Sequence, residues 1–257
     1  MIITSRQNER IKRIVSLKQK KYRDEYSLYL VEGDKMIADA INAGQQITEI
    51  FVSESYSGNG FSNIENRTTV SDSVFSAMSD EVTPQGIIAV VKIPESPPIS
   101  RLSACLLLDR LQDPKNVGAI LRLAAAAGVT DIIAVDCADA YSPKAVRASM
   151  SGLYHENIYC MAEIDALKCI KNSGLKIIAA DMGGKDIFSY SPPEKFCLVV
   201  GNEGKGVSDT IMSAADEIVA IPMKNGVESL NVAVAAGITL YTLLNGKTYN
   251  TAIVIPQ

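Results

Sequence analysis

Six short apolar runs, Ala104 to Leu108, Asp131 to Val135, Ile158 to Cys160, Leu175 to Ala180, Phe196 to Val200 and Glu217 to Ile221, recur through the second half of this chain. Helix-length stretches separate most of them. Runs this short and rich in β-branched residues suit strands buried on both faces, so an α/β fold with a mostly parallel sheet and helices on both sides is expected. Sheets of that kind bind ligands beyond the carboxyl ends of their strands, which makes the residues just after each run the place to look for a site.

Two run ends carry the relevant chemistry. Phe196 to Val200 leads directly into Gly201-Asn202-Glu203-Gly204-Lys205-Gly206, where missing Cβ atoms let backbone come close to a ligand. Glu217 to Ile221 ends in Pro222-Met223, and a loop then reaches Glu228-Ser229-Leu230-Asn231-Val232. The Ser229 hydroxyl is expected to cap a helix running to about Leu244. These loops and the helix start are expected to line one cleft. Neither standard nucleotide loop is present: Lys205 is followed by Gly206 where a P-loop needs a hydroxyl, and Gly204-Lys205-Gly206 continues without the third glycine of the dinucleotide fingerprint.

With 257 residues, 47% of them hydrophobic and 21% charged, the chain is long and apolar enough for two domains. The first reads as a basic helix to about Lys21, a strand at Ser27 to Val31 and a helix from Lys35 to Ala43. A strand at Glu49 to Val52, a loop at Gly58-Asn59-Gly60, a short helix at Asp72 to Met78 and a strand at Gly86 to Val91 follow. Ile93 to Pro98 reads as a stiff proline linker. The expected division is 1–95 and 103–257. Residues 1–23 lack the apolar core of a signal peptide, and Val232 to Leu244 falls short of the roughly 20 residues that span a bilayer. A cytoplasmic protein without a membrane partner is expected.

Five cysteines show no C-x-x-C spacing and read as reduced and structural. The single histidine, His155, has no histidine partner, so no metal site is expected. The net charge of −4 is unevenly spread: residues 1–23 hold eight cations against one acid, a net +7, which leaves −11 for the remainder. Arg6, Arg10, Arg13 and Lys20 or Lys21 recur at helical spacings, either as an ordinary solvated face or as one that meets phosphates.

Asp113-Pro114-Lys115-Asn116-Val117-Gly118-Ala119-Ile120-Leu121-Arg122 places Asn116 and Arg122 on the opening turns of a small-residue helix. Together with the two loops, in order and spacing, this segment resembles the SpoU/TrmH family of RNA ribose 2′-O-methyltransferases within the SPOUT superfamily. The likeness covers Leu106 to about Leu244. Val31-Glu32-Gly33, Phe51-Val52 and Pro84-Gln85-Gly86-Ile87 are similar to phrases of the substrate-binding domain that many such enzymes carry.

The resemblance implies a C-terminal trefoil knot, a smaller N-terminal α/β RNA-binding domain and a homodimer packed through the knotted domain. It also implies S-adenosylmethionine as cofactor, contacted by Gly201, Ile221 and Leu230 with Met223 and Val200 nearby. Arg122 would be the centre of reaction, either as a base in a desolvated pocket or, with less demand on a guanidinium, as the cation that anchors the adjacent phosphate. Asn116, Glu203, Ser229 and Asn231 would complete a polar wall, with Glu203 aligning Arg122 or other donors. The implied substrate is structured RNA, with the separate N-terminal domain favouring ribosomal over transfer RNA. A noncatalytic RNA-binding or ribosome-assembly protein of the same fold is the competing reading.

Overall fold

In the computed structural model, residues 2–58, 61, 64, 66–99, 102 and 104–244 are described. Asn59 and Gly60 of the expected loop, Ser103 at the expected domain start and residues 245–257 lie outside them. The first part runs α1 (Glu9–Ser16), α2 (Lys20–Tyr26), β1 (Leu28–Glu32), α3 (Asp34–Asn42), β2 (Ile47–Ser53), β3 (Arg67–Val70), α4 (Asp72–Met78) and β4 (Ile87–Lys92). Its four-stranded sheet has the order β1-β4-β2-β3, antiparallel except between β2 and β3.

The second part runs β5 (Ala104–Asp109), α5 (Pro114–Ala127), β6 (Asp131–Val135), α6 (Pro143–Ser149), a 3-10 turn (Gly152–His155), β7 (Asn157–Cys160) and α7 (Glu163–Asn172). It continues through β8 (Lys176–Asp186), β9 (Phe196–Val200), α8 (Asp209–Ala214), β10 (Glu217–Ala220) and α9 (Val232–Leu243). The six strands are all parallel in the order β10-β8-β9-β5-β6-β7. Among the described residues, no helix is long and apolar enough to cross a membrane.

Alternation along each strand sorts side chains into separate layers. On β5, Cys105 and Leu107 face α7 and α8 with Ile133, Ile170, Ile177 and Val199, whereas Leu106 and Leu108 face α5 and α9 with Ile120, Leu121 and Leu240. That second layer does not stop at the sheet's own helices. Tyr29, Val31, Ile50, Ile87 and Ala89 of the four-stranded sheet belong to the same continuous core. The opposite face of the small sheet is covered by α1 and α4 through Ile11, Ile14, Phe51, Val74 and Phe75.

Polar pins reinforce the shared core. Arg23, nearly fully buried, pairs with Asp139 at 2.6 Å and donates to the Leu17 carbonyl. Breaking such a pair from one side leaves a buried charge, which costs about 3–5 kcal/mol. Ser151 donates to Asp39 at 2.6 Å, and the Tyr154 hydroxyl donates to the Met36 carbonyl at 3.2 Å. The proline-rich segment is held from both sides, by Ile93 N donating to the Ser27 carbonyl and by Ser96 Oγ donating to the Ile158 carbonyl.

The expected single basic helix is instead two. Leu17, Lys18 and Gln19 close tight i to i−3 turns, and Leu17 is driven fully into the core, so the chain changes direction before Lys20. The expected cationic face is divided accordingly. Arg6 lies ahead of α1 and donates to the Ser73 carbonyl, Arg10 pairs with Glu49, Lys20 pairs with Asp24, and Arg13 stacks over Tyr26. His155 is exposed, Cys105 and Cys197 are buried, and all five cysteines are free.

Glu156, between the 3-10 turn and β7, is buried with neither carboxyl oxygen hydrogen-bonded among the described residues. Burial, with the Asp131 charge adding to it, pushes its carboxyl up from 4.5 to about 8. Between those two values the folded chain keeps a proton that the unfolded chain has released, so stability falls as pH rises through this window. Glu156→Gln is therefore expected to melt close to wild type at pH 4.5 and several degrees higher at pH 8. Parallel melting curves across that range would show that Glu156 does not titrate there.

Candidate active site

At the carboxyl ends of β8, β9 and β10 lies a cleft of about 590 Å³, within the roughly 300–1,000 Å³ of small-molecule sites. Val200, Gly201, Ile221, Met223 and Leu230 all line it, as do Glu203 and Ser229. Sheet order explains the convergence. Strand β8 lies between β9 and β10, so the loops that leave β9 and β10 flank its end from either side.

The loop after β9 folds onto itself. Asn202 and Gly206 exchange both backbone hydrogen bonds at 2.9–3.0 Å. The Asn202 side chain donates to the Arg110 carbonyl at 2.8 Å and accepts from Gly204 N and Lys205 N at 3.0 Å. A Cβ on Gly201 would stand 2.3 Å from the Gly206 and Val207 backbone. The glycine is thus required by the chain's own return path, whereas sequence suggested room for a ligand. Beneath the loop, fully buried Asp109 accepts from Ser208 N at 2.6 Å and pairs with Arg110.

A chain of hydrogen bonds joins three distant segments beside the cleft. Asn116 donates to Glu203 Oε1 at 2.8 Å, and Asn231 donates to Asn116 Oδ1 at 3.0 Å. Asn231 Oδ1 in turn accepts from Ala233 N and Val234 N, which makes Asn231 the cap of α9. The expected cap, Ser229, is instead an exposed residue of the cleft wall. Two capping residues stand two positions apart in the sequence, and α9 begins at the one that also reaches Asn116.

Helix α5 carries Asn116 because Asp113 caps it, accepting from Lys115 N at 2.8 Å, and Pro114 takes its first turn. Arg122 lies six residues on, about 120° away around the helix, so the two side chains leave different faces. The Arg122 side chain is exposed, makes no hydrogen bond or ion pair with the described residues, and does not line the cleft. Of the two alignments expected for Glu203, with Arg122 or with other donors, the structure shows the second: Glu203 accepts from Asn116 and makes no bond to Arg122 of its own chain. Gly152 fixes the helix at this point: a Cβ there would stand 2.6 Å from the Arg122 Cα.

Sequence reasoning passed over two contributors. Asn202 organises the glycine loop, and its place between Gly201 and Glu203 was the available signal. The other is a bulge in β8. Ala179 pairs with Ile218 and Lys185 with Val219, so residues 180–184 are inserted between two successive residues of β10, with Gly184 returning against the Val219 backbone. Asp181 and Met182 of this bulge line the cleft.

The lining fits S-adenosylmethionine. Val200, Ile221, Met223 and Leu230 offer an apolar surface for a purine, and the carboxylates of Asp181, Glu203 and Glu228 suit a sulfonium cation and hydroxyl donors.

A pre-shaped cleft beyond the carboxyl ends of a parallel sheet, with a hydrogen-bonded amide and carboxylate network beside it, defines an α/β enzyme that holds a nucleoside-type cofactor. The chain belongs to the SpoU rRNA methylase family, which matches residues 103–241, and residues 8–89 match the MRM3-like substrate binding domain. It is 31% identical over 244 residues to the 23S rRNA (guanosine(2553)-2′-O)-methyltransferase RlmP of Bacillus subtilis, a similarity that covers 94% of this chain and 98% of that protein. The crystal structure of an RNA 2′-O ribose methyltransferase has a TM-score of 0.82 at 30% identity, over 95% of this chain and 98% of that one. The AdoMet-bound rRNA methyltransferase of Sinorhizobium meliloti has a TM-score of 0.85 at 27% identity, over 97% and 99%. The resemblance to SpoU/TrmH enzymes and the expected α/β class are borne out.

Proposed function

We propose that this chain transfers a methyl group from S-adenosylmethionine to a ribose 2′-hydroxyl of structured RNA, ribosomal RNA in particular. The observation that carries the reading is the hydrogen-bond chain from Glu203 through Asn116 to Asn231, which ties the loop after β9, the first turn of α5 and the cap of α9 into one polar wall beside an apolar cleft. The names of the RNA-modifying relatives support the same substrate class.

Val200, Gly201, Ile221, Met223 and Leu230 hold the cofactor in this reading, inside a C-terminal trefoil knot to which the loops after β9 and β10 belong. The bound cofactor supplies an electrophilic methyl group. Asn116, Glu203, Ser229 and Asn231 position the ribose, and Arg122 anchors the neighbouring phosphate so that the 2′-oxygen is aligned for attack. The chain divides into an RNA-binding unit, 1–95, and a methyltransferase unit, 103–257, and works in the cytoplasm.

A homodimer completes the site. Helix α9 has no charged residue, and although Ala236, Leu240 and Leu243 are buried, Val234 remains 51% exposed. An apolar helix with a bare face suits a subunit interface. Because Arg122 stands outside its own chain's cleft, we assign it to the cleft of the partner.

Incubation with methyl-labelled S-adenosylmethionine and unmodified ribosomal RNA, followed by alkaline digestion, tests the reaction. A 2′-O-methyl group removes the nucleophile that cleaves RNA, so label is expected in alkali-resistant dinucleotides. Label released in mononucleotides would indicate base methylation and overturn the assignment.

A further inference from the structure

The bulge of β8 brings a carboxylate to the middle of the cleft that the glycine loop and the β10 loop enclose. Residues 180–184 leave the sheet between the Ala179–Ile218 and Lys185–Val219 pairs, and only a non-local slip in register produces this excursion. Strand β8 lies between β9 and β10, so Asp181 stands between the Glu203 side of the cleft and the Ile221 side. Asp181 Oδ2 comes within 3.4 Å of the point that a Cβ on Gly206 would occupy, so it lies close beside the glycine loop, on the side that the missing Cβ leaves clear. Asp181 Oδ1 accepts a long hydrogen bond from Gly183 N at 3.4 Å, and no cationic side chain pairs with the group among the described residues.

We propose that Asp181 holds the ribose diol of the cofactor, its carboxylate accepting from the 2′- and 3′-hydroxyls. This rests on the reading of the cleft as the S-adenosylmethionine site. A carboxylate is acceptor-only and offers two oxygens to two neighbouring donors, which matches a vicinal diol. Position selects the ribose. The apolar surface of Val200, Ile221 and Leu230 suits the purine, and Glu203, tied to Asn116 and Asn231, belongs to the reacting end. The ribose joins the two, and Asp181 lies between them. Glu203 already accepts from Asn116, and Glu228 sits on the β10 loop at the flank of the cleft, so neither duplicates this position.

Calorimetry with S-adenosylhomocysteine and its 2′-deoxy and 3′-deoxy analogues tests the assignment. In wild type, loss of either hydroxyl is expected to weaken binding about tenfold, and Asp181→Ala is expected to weaken the parent ligand about ten- to a hundredfold. In the variant, deleting a hydroxyl should cost less than about twofold more, because its acceptor has gone. The unliganded melting temperature controls for folding, and Asp181→Leu, which keeps the side-chain shape without an acceptor, replaces the alanine variant if that one does not fold. Unchanged affinity in the variant, or a hydroxyl penalty that persists in it, would overturn the proposal and leave the cofactor site intact. Failure of wild type to bind S-adenosylhomocysteine at all would instead fell the reading of the cleft, and the proposal with it.

Discussion

Gly201→Ala is expected to lower affinity for S-adenosylmethionine by about a hundredfold or more, although alanine adds a single methyl group. That methyl would meet the carbonyl carbon of Gly206 and the nitrogen of Val207 at 2.3 Å, and both are backbone atoms with no rotamer to yield. Relief comes only by opening the loop, which breaks the paired hydrogen bonds between Asn202 and Gly206 and shifts Glu203 away from Asn116. Calorimetry reads the affinity directly. Binding at wild-type strength would show that the loop relaxes without loss and that its self-packing is not what shapes the cleft.

Arg122→Ala should leave cofactor affinity within a few fold while reducing methyl transfer roughly 10²–10³-fold, the range seen when one charged or hydrogen-bonding contact to a transition state is removed. The side chain makes no hydrogen bond or ion pair with the described residues of its own chain, so its removal is expected to leave the fold unstrained. Arg122→Lys keeps the charge and loses the planar fork, and it is expected to recover only part of the rate. A mixture of Arg122→Ala with Glu203→Ala separates the two protomers' contributions. If Arg122 serves the partner's cleft, heterodimers contain one cleft with both groups intact and regain activity that neither variant has alone. If the mixture stays inactive, Arg122 serves its own chain. Near wild-type turnover by Arg122→Ala alone would remove the residue from the mechanism.

Local pattern made the sheet legible. The runs that became β5, β6, β7, β9 and β10 are bounded in the sequence within one or two residues of where they lie, because each is a short apolar segment set off by polar or glycine residues. The loops after β9 and β10 were legible for the same reason. Strand β3, Arg67–Val70, was missed because three of its four residues are polar and its strand character comes from parallel pairing with β2. The apolar run of β8 ends at Ala180 in the sequence, where Asp181 follows, although the strand extends to Asp186. In fact the strand resumes on β10 with a new register, a choice made by a partner more than thirty residues away.

The site divided along the same line. Residues whose role depends on position along the chain, such as Gly201, Glu203 and Leu230, came together as expected at the cleft. Those whose role depends on direction did not. Helical phase turns Arg122 away from Asn116, and the capping role fell to Asn231 because its amide also reaches across to α5. The two-helix start of the chain has a comparable origin: burial of Leu17 outweighs the charge periodicity that suggested one helix.

The core shared by the two sheets carries an evolutionary consequence. A substrate-binding unit tethered by a loose linker is readily traded for another, because nothing but the tether must match. Here Tyr29, Val31 and Ile87 belong to one layer with Leu106 and Leu121, Arg23 is committed to Asp139, and Ser151 to Asp39. A transplanted N-terminal unit would arrive with the wrong surface and leave the partly buried Asp139 without its arginine. The inward face of the first unit is thus tied residue by residue to the second, and its outward surfaces are the ones free to change without disturbing that shared layer.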